Sequence, residues 1–373
     1  MKRMLDIAYT TMTAELLERA LDAQFDIDFD EAGTFKTRKV KERKYWYYRP
    51  SEKASNQREK YVGPTDDPQI TERIKNFANI KNDYQSRRKI VSTLIRDAGL
   101  SKPENRVGNV IDALWKAGVF RLRACLIGTI AYQTYGTVLG YRLADAAMQT
   151  GDIDLAQFYS ISLAVGDSIP PILDVLQTVD KNFKPLPQLD NKAAPTRFAG
   201  SGGLRVEFLT PNMGSDDQIG KPLKLPALGG AGGEPLRYLD YLIHEPIRTV
   251  VLHKGGIPIL VPQPARYAVH KLIVASQRRK GQPKDLKDLQ QVHHLTEALL
   301  ELARVDELKE AYAEASERGS HWRTALKLSI ERMASLGMVD FATSIGIKRS
   351  THSKKPQQEL KGRKQRRDQK ALS

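Results

Sequence analysis

The segment Thr150-Gly151-Asp152-Ile153-Asp154-Leu155 constrains this chain more than any other. It places two carboxylates one residue apart among strand-compatible residues. In a strand, residues i and i+2 point to the same side. Asp152 and Asp154 then project together, close enough to share a divalent cation. Like charges that close repel, and a cation or a proton relieves them. Hard carboxylate oxygens suit Mg²⁺, which usually keeps waters and takes substrate phosphates as further ligands; Mn²⁺ could stand in for it. This is the inner shell expected of phosphoryl-transfer chemistry. A lone D-x-D pair is also a common surface turn, so its surroundings decide.

Upstream, Leu122-Arg123-Ala124-Cys125-Leu126-Ile127-Gly128-Thr129 is an apolar run ending in Gly and a hydroxyl residue. That pattern predicts a buried strand running into a tight turn. Ile130 to Tyr135 then reads as a short helix. Backbone N–H groups at such a turn and helix start can hold phosphate oxygens. A plain tight turn would explain Gly128 equally well. Downstream, Leu204-Arg205-Val206-Glu207-Phe208-Leu209-Thr210-Pro211 reads as another strand with one acid among apolar neighbours. An unpartnered acid buried there is costly. A metal shared with Asp152 and Asp154 would remove that cost, and so would a salt bridge at the strand edge.

The order strand-Gly-Thr, helix, D-x-D strand, later acidic strand resembles the nucleotidyltransferase fold of the DNA polymerase beta superfamily. More closely, the chain resembles a bacterial family of nucleotidyltransferase-like proteins. The stretches that carry this are Ile127 to Thr129, Thr150 to Gln157, Arg205 to Pro211, Pro235 to His253 and Tyr267 to Asp288, within roughly residues 40 to 330. The resemblance implies Mg²⁺-dependent transfer of a nucleotidyl group from an NTP such as ATP. It implies that Gly128 and Thr129 hold triphosphate, that Asp152 and Asp154 bind metal, and that Glu207 takes the place of the third catalytic and metal-binding carboxylate. Two residues depart from the family pattern. Thr129 replaces the usual Ser and keeps the hydroxyl. Glu207 replaces the usual Asp and is one methylene longer, at a place where geometry matters on the 1 Å scale.

A second constellation follows. Pro264 to Ala275 reads as a helix with Pro near its start. Lys271 and Arg278 are seven apart and share one face. Pro283-Lys284-Asp285-Leu286-Lys287-Asp288 opens another helix. Asp285 and Asp288 fall in its first turn, where acids favour the helix dipole. Related nucleotidyltransferase-like proteins carry a helix Lys followed by K-D-x-x-D. By that resemblance Lys271 faces the triphosphate, and Lys284 with Asp285 closes the pocket. Ordinary helix-start acids and solvated lysines would look the same. His270 lacks metal-type partner spacing and reads as structural.

The 373 residues suffice for two or three domains, and the formal net charge is +15. The single cysteine, Cys125, excludes an intrachain disulfide. Its apolar strand predicts a buried thiol. No apolar run approaches the ~20 residues of a membrane span, and the N-terminus lacks a signal-peptide core. A cytoplasmic location is the expectation. Among the described motifs none is a zinc-type Cys/His cluster or a Ser-His-Asp order.

Four parts are expected. Residues 1–117 hold a helix over Leu5 to Phe25, a basic-aromatic hairpin over Lys36 to Pro64, and helices over Asp66 to Ala98 and Pro103 to Lys116. Residues 118–290 are the nucleotidyltransferase-like core, 291–347 C-terminal helices, and 348–373 a Lys/Arg-dense tail of disordered composition. In the hairpin, Lys39, Lys41, Arg43 and Lys44 precede Tyr45-Trp46-Tyr47-Tyr48. Cations neutralise phosphates and rings stack on unpaired bases. Packing of the rings onto the following helices is the equal alternative. Leu228 to Gly233 does not fit a dinucleotide fingerprint and reads as a loop. Arg248 lies on a strand and could face the pocket.

The expected fold is α+β, a mixed nucleotidyltransferase-type sheet with flanking helices, an N-terminal hairpin-helix module and a C-terminal helical region. The expected function is nucleotidyl transfer to a hydroxyl on RNA, a protein or a small molecule. Related toxins modify tRNA or a partner protein, which favours the first two by analogy alone. The other reading is a noncatalytic nucleic-acid-binding protein on a degenerate scaffold, which Glu207 in place of Asp keeps open.

Overall fold

A computed structural model describes residues 3–28, 34–49, 59–75, 84–144, 150–188, 190, 192–213, 220–278 and 283–347. The N-terminal part contains α1 (Ile7–Asp28), β1 (Thr34–Val40), β2 (Arg43–Arg49), β3 (Lys60–Pro64), α2 (Pro68–Lys75), α3 (Tyr84–Arg96) and α4 (Asn105–Lys116). Next come β4 (Cys125–Ile127), α5 (Gly128–Leu139), β5 (Asp152–Ala156), α6 (Tyr159–Ala164), α7 (Ile172–Gln177), β6 (Lys184–Pro185), β7 (Arg197–Ala199) and β8 (Arg205–Pro211). They are followed by β9 (Leu223–Leu225), β10 (Ala231–Leu236), α8 (Leu239–Leu242), β11 (Ile247–Val251) and β12 (Ile257–Val261). The C-terminal helices are α9 (Pro264–Gln277), α10 (Pro283–Glu301), α11 (Val305–Glu317), α12 (Ser320–Ser335) and α13 (Phe341–Ser344). The basic tail from Lys348 lies outside the described residues.

The central sheet is mixed, in the order β4-β5-β8-β10-β9, with β6 and β7 attached through β8. β5 and β10 run parallel to β8, whereas β4, β7 and β9 are antiparallel to their neighbours. Alternation anchors it. Ile153 and Leu155 of β5 and Val206 and Phe208 of β8 are fully buried, and each such side chain contributes about 1.5–3 kcal/mol. The residues between them, Asp152, Asp154, Arg205 and Glu207, are thereby turned to the opposite face. This is the expected α+β architecture. Helices α9, α10, α11 and α12 pack on one another, with Leu272, Leu295, Leu308 and Leu326 all at 0% exposure in the main core. Gln157 ties the far end of β5 down: its Nε2 donates to the Leu122 carbonyl (2.6 Å), and Thr210 Oγ1 donates to the Gln157 carbonyl (2.9 Å).

The basic-aromatic module is a three-stranded antiparallel meander, β1-β2-β3, where a single hairpin was expected. The extra turn falls at Lys41-Glu42, with Lys41 at φ 56°. The β2–β3 pairing shifts register between Trp46 and Tyr47. Alternation along β2 is kept: Tyr47 points into the main core, while Tyr48 packs with Val62 and Ile70 on the other side. Both are 1% exposed, while Tyr45 and Trp46 are partly buried against the same two clusters. The meander is fastened to the core by polar contacts as well. Tyr47 Oη donates to the Val165 carbonyl (2.9 Å). Asp167 accepts from Tyr61 N (2.8 Å) and pairs with Arg121 (2.7 Å).

Two other expectations change. The Gly-rich stretch is not a free loop: Ala231 to Leu236 forms β10 inside the sheet. Gly232 is required by close packing, since a β-carbon there would collide with the Ala194 carbonyl. Arg248 does lie on a strand, but its guanidinium pairs with Asp67 (2.7 Å) and bonds Gln69 (2.9 Å), which holds β11 to the start of α2.

Candidate active site

The site assembles where β4 ends and β5 and β8 begin. In the parallel β5–β8 pairing, Asp152 lies beside Arg205 and Asp154 beside Glu207. Neighbouring residues in register point to the same face, so the three acids share it. Antiparallel pairing of Ile127 with Asp154 brings the end of β4 alongside. Gly128 follows at once, with φ +68°, and a β-carbon there would collide with Asp154 Oδ2. The turn alone does not account for Gly128: the carboxylate needs the space. Thr129 stands in the first turn of α5, whose N-cap, Ile127, provides no side-chain cap. Unsatisfied N–H groups of such a turn favour anions. Thr150 Oγ1 accepts from Asp152 N (3.1 Å) and fixes the entry to β5.

The electrostatics follow from this crowding. Burial, then the charges of Glu207 and Asp152, push the Asp154 carboxyl up to about 6, against the pull of Lys271 and Lys284. Burial likewise raises Glu207, opposed first by Arg197. Arg197 Nε stands 3.7 Å from Glu207 Oε1, because β7 places Arg197 in register with Glu207 on the side away from β5. Glu207 therefore sits between an acid and a base in one row, Asp154-Glu207-Arg197.

Helices α9 and α10 form the wall above. Lys271 Nζ pairs with Asp288 Oδ1 (2.6 Å), and Arg278 Nε pairs with Asp288 Oδ2 (2.6 Å). Lys271 and Arg278 share a face as expected, and Asp288 is the buried acid between them, not a solvated helix-start acid. Tyr267 joins this wall to the turn. Its hydroxyl lies 3.1 Å from the Gly128 carbonyl and 2.9 Å from Gln291 Oε1. Lys284 is exposed at the start of α10, and its charge reaches Asp154 and Glu207. Asp285 belongs to the same first turn, but its side chain lies outside the described residues. Burial pushes His270 down to about 3, so it is neutral, in keeping with a structural role.

Three residues escaped the sequence reading. Lys287 is half-buried, its pKa lowered by burial and by the Lys271 charge, and it feels Asp152. Its signal was one more Lys in the K-D-x-x-D segment. Arg197 and Arg205 gave none, because only strand register places them beside the acids.

The donor chemistry suits a divalent cation. Hard carboxylates crowd one face, and the charges of Glu207 and Asp152 oppose ionisation of Asp154. Among the described residues no group of three or more His, Cys, Asp or Glu forms a ready-made cage. Mg²⁺ asks for less, usually one or two carboxylates together with substrate phosphates.

A nucleotidyltransferase family model matches residues 105–317 of this chain, from α4 to the end of α11. The chain belongs to that nucleotidyltransferase family. The matched span holds Gly128, both aspartates, Glu207, Lys271 and Lys284 of the family member. Among solved structures, an antigenic nucleotidyltransferase-like protein from Paracoccidioides brasiliensis is similar at 15% identity, over 61% of this chain and 94% of that one, with a TM-score of 0.30. A likeness that low adds nothing to the family match. No curated protein matches the chain. No described helix of the family member is long and apolar enough to cross a membrane.

Proposed function

We propose that the chain is a divalent-metal-dependent nucleotidyltransferase that joins a nucleotidyl group from an NTP to an acceptor hydroxyl. The observation that carries this is the shared face of Asp152, Asp154 and Glu207 beside the Gly128 turn. Asp152 and Asp154 would hold the cation, with Glu207 as the third carboxylate. Bound Mg²⁺ or Mn²⁺ would neutralise triphosphate charge as a Lewis acid.

The chain's own residues supply the rest. Gly128, Thr129 and the first turn of α5 offer N–H groups and a hydroxyl to triphosphate oxygens. Lys284 and Lys287 bring positive charge to the same side, and Lys271 does so from its pair with Asp288. Glu207, with its raised pKa, is suited to take the proton from the attacking hydroxyl. Arg205, beside Asp152, is placed to meet an anionic group of a substrate. Transfer then rests on positioning and electrostatics, as in phosphoryl transfer generally.

One observation favours a second reading, a noncatalytic binding protein: Glu207 is longer than the usual Asp and already lies near Arg197. Thermal shift with each NTP, with and without Mg²⁺, separates the two, followed by labelled NTP incubated with total RNA or lysate. A metal-dependent shift and label transfer are expected. No shift with any NTP, together with a shift on RNA or DNA alone, would favour the binding protein.

A further inference from the structure

A second polar surface stands at the other end of the central sheet. Because β4 is antiparallel to β5, Gly128 leaves β4 at the Asp154 end, whereas Arg123 enters it at the Ala156 end. There the meander and α6 enclose a groove of about 520 Å³. Lys41, Arg43 and Arg123 line it, together with Tyr45, Ile161 and Val165. One short strand, about 10–15 Å, separates this groove from the carboxylates. The meander is therefore not placed over the carboxylates themselves.

Three features give the groove a chemical character. Its cations lack acidic partners. Lys41, Arg43 and Arg123 make no ion pair among the described residues, and the one lining acid, Glu42, lies 3.5 Å from Lys39. Arg123 also borders a small adjoining cavity with Arg73, Arg121 and Arg248. Those three are paired to Asp22, Asp167 and Asp67, so Arg123 is the cation left over. Second, Arg123 holds φ +71°, a conformation that costs a non-Gly residue on the order of 1 kcal/mol. Third, the floor is apolar and carries a ring. Ile161, Ala164 and Val165 lie beside Tyr45, which is only partly buried and sits 5.8 Å from Tyr61.

We propose that this groove binds single-stranded nucleic acid. The cations match successive phosphates, while the apolar floor and Tyr45 match the faces of unpaired bases. A duplex hides those faces, and an acidic polypeptide has no use for them. The proposal goes beyond the transfer reaction: the groove grips a strand away from the carboxylates, and an acceptor end could extend toward them.

The test is fluorescence anisotropy on the full chain with a labelled 12-nucleotide single-stranded RNA or DNA, in EDTA and without NTP. The variant carries Lys41→Gly, Arg43→Gln and Arg123→Gly. Lys41 and Arg123 both hold positive φ, so glycine removes charge without straining the turn. Affinity should fall at least about ten-fold. With three phosphates released, the log–log salt slope should shrink by about 2. Tyr45→Leu should weaken binding about five-fold and leave the slope unchanged. A zero-distance thiouridine crosslink should map to the peptides around Tyr45 or Arg123, a readout that needs no variant. Unchanged affinity and slope, crosslinks confined to the tail, or an equal loss with duplex and with polyglutamate would each overturn the proposal. Asp152→Asn with Asp154→Asn should bind like the wild type. Strand binding that persists where no transfer is detected would uphold the groove and reject only the enzyme reading.

Discussion

The carboxylate of Asp154 fills the space that a β-carbon at Gly128 would need. The backbone at Gly128 also holds φ +68°. Two independent requirements therefore converge on one residue, and both concern the proposed NTP site.

Gly128→Ala should cost about 1–3 kcal/mol, from positive φ and from the collision. NTP turnover should drop more than about ten-fold. Melting curves measured in wild-type and Asp154→Ala backgrounds separate the two causes. If the cost is the same in both, the contact with Asp154 contributes nothing.

The raised pKa of Asp154 makes the apo protein sensitive to pH. Its folded value, about 6, lies above the ordinary 3.8, so the folded state holds the proton more tightly. That stability is fully present below about pH 4 and is lost as pH rises through 6. The loss should be on the order of 2–3 kcal/mol. Melting in EDTA between pH 4 and 7 should show it, and Asp154→Asn should flatten the profile. An apo wild type that instead gains stability over this window would contradict the crowding described here.

Asp152→Asn and Asp154→Asn should each abolish transfer and leave the fold intact, because removing one of two opposed charges relieves repulsion. Glu207→Gln should slow the chemical step by about 10²–10⁴-fold with little change in NTP affinity. Glu207→Asp should be tolerated. Single-turnover rates and NTP titrations decide, and wild-type rates in both aspartate variants would remove the pair from the mechanism.

The lysines should separate by burial. Asp288→Ala strands Lys271 and Arg278 and should cost about 3–5 kcal/mol. Lys271→Ala should weaken NTP use and also lower stability, since Asp288 loses one of its two partners. Lys284→Ala, at an exposed position, should weaken NTP binding with stability changed by less than about 0.5 kcal/mol. Denaturant unfolding beside NTP titration tells them apart. Equal stability losses in both lysine variants would contradict the burial difference.

Local pattern was enough for the elements that carry the acids. Strand alternation predicted β5 and β8, and the Gly after an apolar run predicted the turn into α5. These features depend on period and turn chemistry, which are local. The seven-residue spacing likewise predicted that Lys271 and Arg278 share a face.

Pairing was decided by the tertiary structure alone. Register placed Arg205 beside Asp152 and Arg197 beside Glu207, and no sequence period records which strands become neighbours. Packing drew Asp288 inward between two cations, although its position resembles any helix-start acid. Close approach of the Ala194 backbone turned a Gly-rich stretch into a buried strand. The antiparallel turn of β4 against β5 set the basic meander and the carboxylates at opposite ends of one sheet. The physical reason is common to all four: a side chain's partners depend on long-range contacts, while its own direction depends on the local backbone.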